Sequence, residues 1–223
     1  MGGRLQVGKD WQNAKSIAPG GSPPRKFVAA AFSGAVNNDD CAAIRTDEFT
    51  PDQFVEGPVF RDVAYAPAMT HEIVLYLRCV MIPNFFWTYE FNYACTSDIY
   101  QLARWNGAIN SNEVIPSAGP DTNDIPATDD VMRLEIRGGL IRYLLNGALQ
   151  NSWIDTLPTA SIPCYRYGKP GAGYFIRTDA SADVEKFCLS SVTVGSLGEI
   201  PAPRLDYTNH PKLPIRLRER ALA

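Results

Sequence analysis

Among the 223 residues, the side chains that carry out hydrolysis are scattered. Cleaving a glycosidic bond takes two carboxylates flanking it, about 5–10 Å apart. Alternate residues of one strand supply such a pair most simply, because they share a face. Glu90, in WTYEFNY, has Thr88 and Asn92 as same-face neighbours, and Glu135 has Arg133 and Arg137. Neither has a second acid beside it, and Glu135 reads as part of a salt-bridged solvent face. Nucleophilic catalysis finds no G-x-S-x-G, and His71 and His210 stand outside any nucleophile context. The glycine-rich GKPGAG lacks the spacing of a phosphate loop and precedes no helix. No catalytic residues emerge, and the chain is expected not to be an enzyme.

Binding chemistry is better represented. Sugar recognition joins an aromatic platform to amide or carboxylate groups on loops. Trp105, Asn106, Asn110 and Asn112 lie close together in the sequence, as do Asp155, Tyr165 and Tyr167. Two readings compete at these positions. Trp105 also suits core packing, and Asn106, followed by Gly107, suits a hairpin turn that needs positive φ. No cofactor is specified. An acidic loop with Asp121, Asp124, Asp129 and Asp130 is the one place for calcium, but it lacks a defining ligand spacing. The five cysteines (Cys41, Cys79, Cys95, Cys164 and Cys188) are irregularly spaced with no C-x-x-C, and read as buried thiols in a reducing compartment.

The net charge of −3 conceals a partition. Residues 1–26 carry Arg4, Lys9, Lys15, Arg25 and Lys26 against Asp10, a net of +4. Residues 204–223 carry Arg204, Lys212, Arg216, Arg218 and Arg220 against Asp206 and Glu219, a net of +3. The middle therefore holds −3 − 4 − 3 = −10. An acidic body repels phosphates, which argues against nucleic acid as a partner. No apolar run approaches the 18 residues of a membrane span, and the N-terminus lacks the apolar core of a secretory signal.

The elements that must position these residues are strands. From Phe85 to Cys95 the odd positions read Phe, Trp, Tyr, Phe, Tyr, Cys, the pattern of a half-buried strand with an aromatic inner face. His71–Ile82 precedes it across Pro83-Asn84, and Ile99–Trp105 follows, ending at the turn signal Asn106-Gly107. Val131–Arg137, Leu140–Leu145 and Ala148–Ile154, joined by Gly138-Gly139 and Asn146-Gly147, form a meander. Gly173–Thr178 and Val184–Val194 are two further strands, and Phe27–Phe32 and the stretch from Phe54 to Ala64 are weaker candidates. Residues 110–130 and 155–170 read as loops. The prediction is an all-β chain, a sandwich or barrel.

The meander carries a family resemblance. VMRLEIRGGLIRYLLNGALQNSWIDT, then GKPGAGYF, then VEKFCLSSVTVG, resembles the concanavalin A-like lectin/glucanase (LamG-like) jelly roll, in the form found in phage structural proteins. Asp130, Arg133, Leu134, Glu135, Asn146, Gly147, Asp155, Gly168, Pro170 and Gly171 fit its pattern in order. DEFTPDQFVEGPVF and IYQLARWNG are similar to its upstream strands, so the likeness spans roughly residues 40–196. It implies an antiparallel jelly-roll β-sandwich. The glucanases of this group place their acids as E-x-D-x-E or a near variant, a triplet missing here.

Together these readings predict an extended arm over residues 1–26, a jelly-roll body over 27–200 and a Pro-rich basic arm over 201–223. Arms of such composition hold no core of their own, so neighbouring subunits are expected to hold them through charge complementarity. The expected role is that of a non-enzymatic virion protein of a tailed phage (capsid decoration, tail or fibre), assembled in the host cytoplasm as a homo-oligomer with other virion proteins. A soluble carbohydrate-binding module is the alternative, with a surface glycan as partner, and a glycoside hydrolase the remote one.

Overall fold

The structure, a computed structural model, describes residues 11–13, 39–45, 47–65, 70–82, 85–95, 97–107, 112–116, 125–155, 165–176 and 186–198. Every regular element among them longer than a single residue is a strand: β1 (Trp11–Asn13), β2 (Asp39–Arg45), β3 (Gln53–Arg61), β4 (His71–Ile82), β5 (Phe85–Ala94), β6 (Ile99–Gly107), β7 (Asn112–Ile115), β8 (Val131–Arg137), β9 (Leu140–Leu145), β10 (Ala148–Ile154), β11 (Lys169–Ile176), β12 (Phe187–Leu189) and β13 (Thr193–Ser196). They form two antiparallel sheets. One has seven strands in the order β1-β2-β11-β4-β5-β6-β7; the other runs β10-β9-β8-β3-β12, with β13 also paired to β3. The expected concanavalin A-like jelly-roll sandwich is the architecture found.

The period-2 pattern explains the core. Trp87, Tyr89, Phe91 and Tyr93 of β5 point inward with Leu102 of β6 and Ile73, Leu75 and Leu77 of β4, and meet Met132, Leu134, Ile136, Ile141, Tyr143 and Trp153 of the other sheet. The rings interlock in offset and edge contacts: Phe91 to Tyr143 at 4.5 Å between centroids, and Tyr100 to Trp153 at 6.0 Å. Such geometry adds about 0.5–1.5 kcal/mol per pair beyond area burial. The meander forms where expected, and Asn146 (φ 52°) and Gly147 (φ 80°) make its second turn.

Several local expectations are corrected. The antiparallel return signalled by Asn106-Gly107 is found, as β6 pairs with β7, but the dipeptide itself still belongs to β6: it pairs to Trp87 and Phe86, and Asn106 keeps ordinary φ. Only Gly107 has positive φ, and a Cβ there would sit 2.9 Å from the Trp87 indole. Aromatic pairing with β5 thus outweighs the local turn preference. Val184–Val194 is two strands, because β3 cannot pair evenly across Gly57-Pro58. Ser190 N–H donates to the Pro58 carbonyl at 2.8 Å, and a Cβ on Gly57 would lie 2.1 Å from the Ser191 carbonyl oxygen. β7 occupies part of the loop expected at 110–130, and β2 was not foreseen. Trp11–Asn13, placed in the arm by its composition, is a sheet edge strand. Phe27–Phe32 lies outside the described residues.

β4 bulges between Leu77 and Val80, and Arg78 adopts φ 50° there, unusual for a residue with a Cβ. Loop residue Gly168 (φ 125°) presses on this bulge, where a Cβ would come within 2.3 Å of the Arg78 carbonyl carbon and 2.8 Å of Cys79 N. We expect Gly168→Ala to cost about 3 kcal/mol in urea denaturation, from forced backbone displacement and the wrong φ together. Gly138→Ala, also at positive φ (56°) but in open space, should cost only about 1 kcal/mol.

Candidate functional site

The structure brings four of the sequence-predicted glycan residues together and buries them all, linking Asn106, Asp155 and Tyr165 through their side chains and Trp105 through its carbonyl alone. Tyr165 donates its hydroxyl to the Trp105 carbonyl and to Asn106 Oδ1 at 3.2 Å. Tyr89 donates to Asp155 Oδ2 at 2.7 Å and accepts the Tyr165 N–H at 3.1 Å. Arg104 Nη1 grips both oxygens of Asp155 at 2.9 Å, and Nη2 reaches Glu113 at 3.0 Å. Burial works against the Arg104 charge, but Asp155 and Glu113 outweigh it, so its pKa is raised. Trp105, Asn106, Asp155 and Tyr165 are all buried. This network ties β5 and β6 to the end of β10 across the sandwich. Tyr167 is half-buried nearby, Asn112 opens β7 opposite Trp105, and Asn110 lies outside the described residues.

A second cluster lies on the face of the seven-stranded sheet turned away from the core. The Trp105 indole N–H donates to Glu90 Oε2 at 2.6 Å, and Asn92 Nδ2 approaches Glu90 Oε1 at 3.4 Å. Trp105 packs there with Ile44, Val74, Tyr76 and Cys79. Glu90 is only 6% exposed. Burial first, and then the Glu72 carboxylate, push its pKa up to about 7, against the pull of Trp105, Asn92 and Tyr76. Sequence spacing showed no acid partner for Glu90 because Glu72 arrives from the neighbouring strand. Glu135, read as a solvent-face residue, is indeed ion-paired, to Arg133 at 3.1 Å and to Arg142, but these arginines leave it buried.

A third place is open to solvent. A cleft of about 480 Å³ is lined by Arg45, Asp47, Glu48 and Phe49 on one side and by Val192, Thr193, Val194 and Ser196 on the other. Arg45 pairs with Asp47, and Lys169 lies 3.5 Å from Glu48. The wall of Arg45, Asp47, Glu48 and Phe49 is anchored from behind. Thr50 N–H donates to Ser196 Oγ at 3.0 Å, and Gln53 Nε2 holds the Thr50 carbonyl at 2.9 Å and the Gly168 carbonyl at 3.0 Å. Arg78 N–H donates to Gln53 Oε1 at 3.0 Å, and its guanidinium reaches the Pro51 carbonyl at 2.7 Å and the Tyr165 carbonyl at 2.6 Å. Sequence reasoning missed this cleft. Its one signal was the charged run ending in an aromatic, RTDEF, whose partner surface is some 150 residues away.

The other candidates resolve as structural. His71 is buried, its Nδ1 2.9 Å from the Tyr65 hydroxyl and its ring edge-on to Tyr65 and Phe187. Asp130 fixes a turn, accepting from Ala127 N–H and from Asn146 Nδ2, both at 2.7 Å. Asp121, Asp124, His210 and Cys164 lie outside the described residues, as does the Cys41 side chain. Among the described residues no three of His, Cys, Asp or Glu converge on a metal position, and no helix is long and apolar enough to cross a membrane. Cys79, Cys95 and Cys188 are buried thiols outside any disulfide, and burial pushes the Cys79 thiol up.

Two outcomes are expected. Folded Glu90 holds its proton more tightly than the unfolded chain does, so its stabilising effect is complete below about pH 4.5 and lost as pH rises to about 7. In urea titrations at these two pH values, Glu90→Gln should remove a decline of up to about 3 kcal/mol. Asp155→Asn should cost about 3 kcal/mol near neutral pH, because the buried Arg104 loses its main counter-charge.

No protein-family model matches the chain, and no characterised protein matches it in sequence. Solved structures do. A carbohydrate binding module, CBM66 from Bacillus subtilis, aligns with a TM-score of 0.48 at 10% identity, covering 82% of this chain and 94% of that one. The Emp46p carbohydrate recognition domain in its potassium-bound form aligns at 0.45 and 9% identity, covering 83% and 88%. The Bacillus licheniformis beta-glucanase aligns at 0.42 and 11%, covering 80% and 87%. At such identity the likeness is one of fold alone.

Proposed function

We propose that the chain is a carbohydrate-binding jelly roll that holds a glycan in the cleft between the wall of Arg45, Asp47, Glu48 and Phe49 and that of β13, without cleaving it. The observation that carries this reading is the convergence, in an open cleft of about 480 Å³, of one aromatic ring with charged and hydroxyl groups. That volume falls in the range of small-ligand sites, about 300–1,000 Å³. Each lining group has a part in sugar recognition. The Phe49 ring offers an apolar face to the C–H side of a pyranose. The Asp47 and Glu48 carboxylates, whose side chains are 49% and 63% exposed, accept from neighbouring hydroxyls. Arg45, Thr193 and Ser196 donate. Asp47 and Glu48 are consecutive rather than alternate, and each is engaged by a cation, Arg45 and Lys169, which favours holding a sugar over cleaving it.

The sequence-predicted residues act as support in this reading. Tyr165 receives the Arg78 guanidinium that also fixes the segment behind the cleft wall. Association with a virion is a narrower reading, supported by the charge partition of the sequence. All ten arm cations from Arg4 to Arg220 lie outside the described residues.

The test is a glycan array probed with the full chain, followed by calorimetry on the sugars retained. Phe49→Ala should weaken binding at least about tenfold, the equivalent of 1.4 kcal/mol, with the fold intact by circular dichroism. An array without retained glycans, or an affinity indifferent to Phe49→Ala, would remove the cleft from consideration. Release of reducing ends from a bound oligosaccharide would overturn the non-catalytic part.

A further inference from the structure

The edge of the seven-stranded sheet is completed by a piece of chain from far upstream. β1 pairs antiparallel with β2 through Trp11 with Arg45, Gln12 with Ile44 and Asn13 with Ala43. It is three residues long, and among the described residues it has β2 as its one neighbour. The 25 residues 14–38 separate it from β2. Antiparallel neighbours are ordinarily joined by two to five residues. A hairpin turn therefore does not commit β1 to the β2 of its own chain. Fully extended, 25 residues span about 85 Å, ample to reach the same edge on an adjacent copy.

We propose that β1 is exchanged between copies, the β1 of one chain pairing with β2 of a second copy of the same chain. Three features support the occupant. The backbone ladder offered by β2 is identical in every copy, so exchange between copies preserves all three register pairs, the usual basis of strand and domain swapping. Residues 1–26 carry +4 while the middle of the chain carries −10, so the segment bearing β1 is drawn to any neighbouring body. Finally, a linker of this length presents β1 to its own β2 at an effective concentration of millimolar order, so copies held together at comparable local concentration favour exchange. Exchange also bears on the cleft, because Arg45 belongs both to the ladder and to the cleft wall. It does not depend on what the cleft binds.

The experiment uses two full-length chains with different affinity tags, one with Trp11→Cys and the other with Arg45→Cys, co-expressed, purified through both tags in turn and oxidised. A disulfide-linked heterodimer on non-reducing gels, absent when either variant is paired with the unsubstituted chain, is the expected result. The single chain carrying both substitutions should likewise give linked multimers. If it gives only internally linked single chains, and the mixed pair stays unlinked, exchange does not occur. A second measurement guards against damage from the substitutions. Light scattering should show the unsubstituted chain as a multimer at high concentration, and its variant lacking residues 1–13 as a single chain with unchanged circular dichroism. A single-chain mass for the intact protein up to millimolar concentration would overturn the proposal.

Discussion

Two guanidinium groups, those of Arg104 and Arg78, are withdrawn from water at the same end of the sandwich, and each is 3% exposed or less. A buried charge is costly unless it is paired and its donors are used. Arg104 is paired through Nη1, which donates to both carboxylate oxygens of Asp155 and locks β6 of one sheet to the end of β10 of the other. Arg78 meets it with carbonyls of Pro51 and Tyr165, while its backbone N–H is taken by Gln53. Tyr165 joins the two, its N–H bonded to Tyr89, which in turn bonds Asp155. The apolar core would drive the sheets together in many alignments. This hydrogen-bonded seam selects one, because any slip would leave a charge buried and unpaired.

The seam also shapes the surface above it. Arg78 occupies a left-handed backbone conformation inside a strand, and such a conformation persists only where its surroundings hold it. The residues that hold it, Pro51, Asp52 and Gln53, continue directly into the wall of the cleft. On the opposite wall, the break between β12 and β13 follows from Gly57-Pro58 in β3, where the proline has no N–H for the ladder. Thus an irregularity in each sheet, a bulge in β4 and an interruption beside β3, sets the two sides of one opening. The outer face of the seven-stranded sheet also buries a polar group among apolar ones: Glu90 accepts from the Trp105 indole, which packs with Ile44, Val74, Tyr76 and Cys79.

Much of the fold was legible because strand signals are local. The alternation from Phe85 to Cys95 placed the aromatic core face, and Asn146-Gly147 ended β9 where its backbone preference said it would. The same dipeptide type at Asn106-Gly107 misled. There the long register between β5 and β6, with Trp87 lying over Gly107, extends the strand through a sequence that favours turning. β7 was hidden for a related reason: NEVI is too short and polar to announce itself, and pairs only because β6 offers an edge.

Local residue patterns establish the period of the strands, hence an all-β chain with an aromatic face, and the separation of basic ends from an acidic body. Both follow from neighbouring residues or simple sums. Which polar groups are buried, and with whom, depends on how distant strands pair. Asn106, Asp155 and Tyr165 read as turn or loop groups within reach of a ligand, and strand register turned them into internal partners, while Trp105, at the end of a predicted strand, is buried on the outer face. Glu90 acquired an acidic neighbour from another strand, and Phe49 acquired a facing wall from β13. A pairing register is a relation between distant segments, fixed by packing of the whole sheet, and no window of sequence contains it.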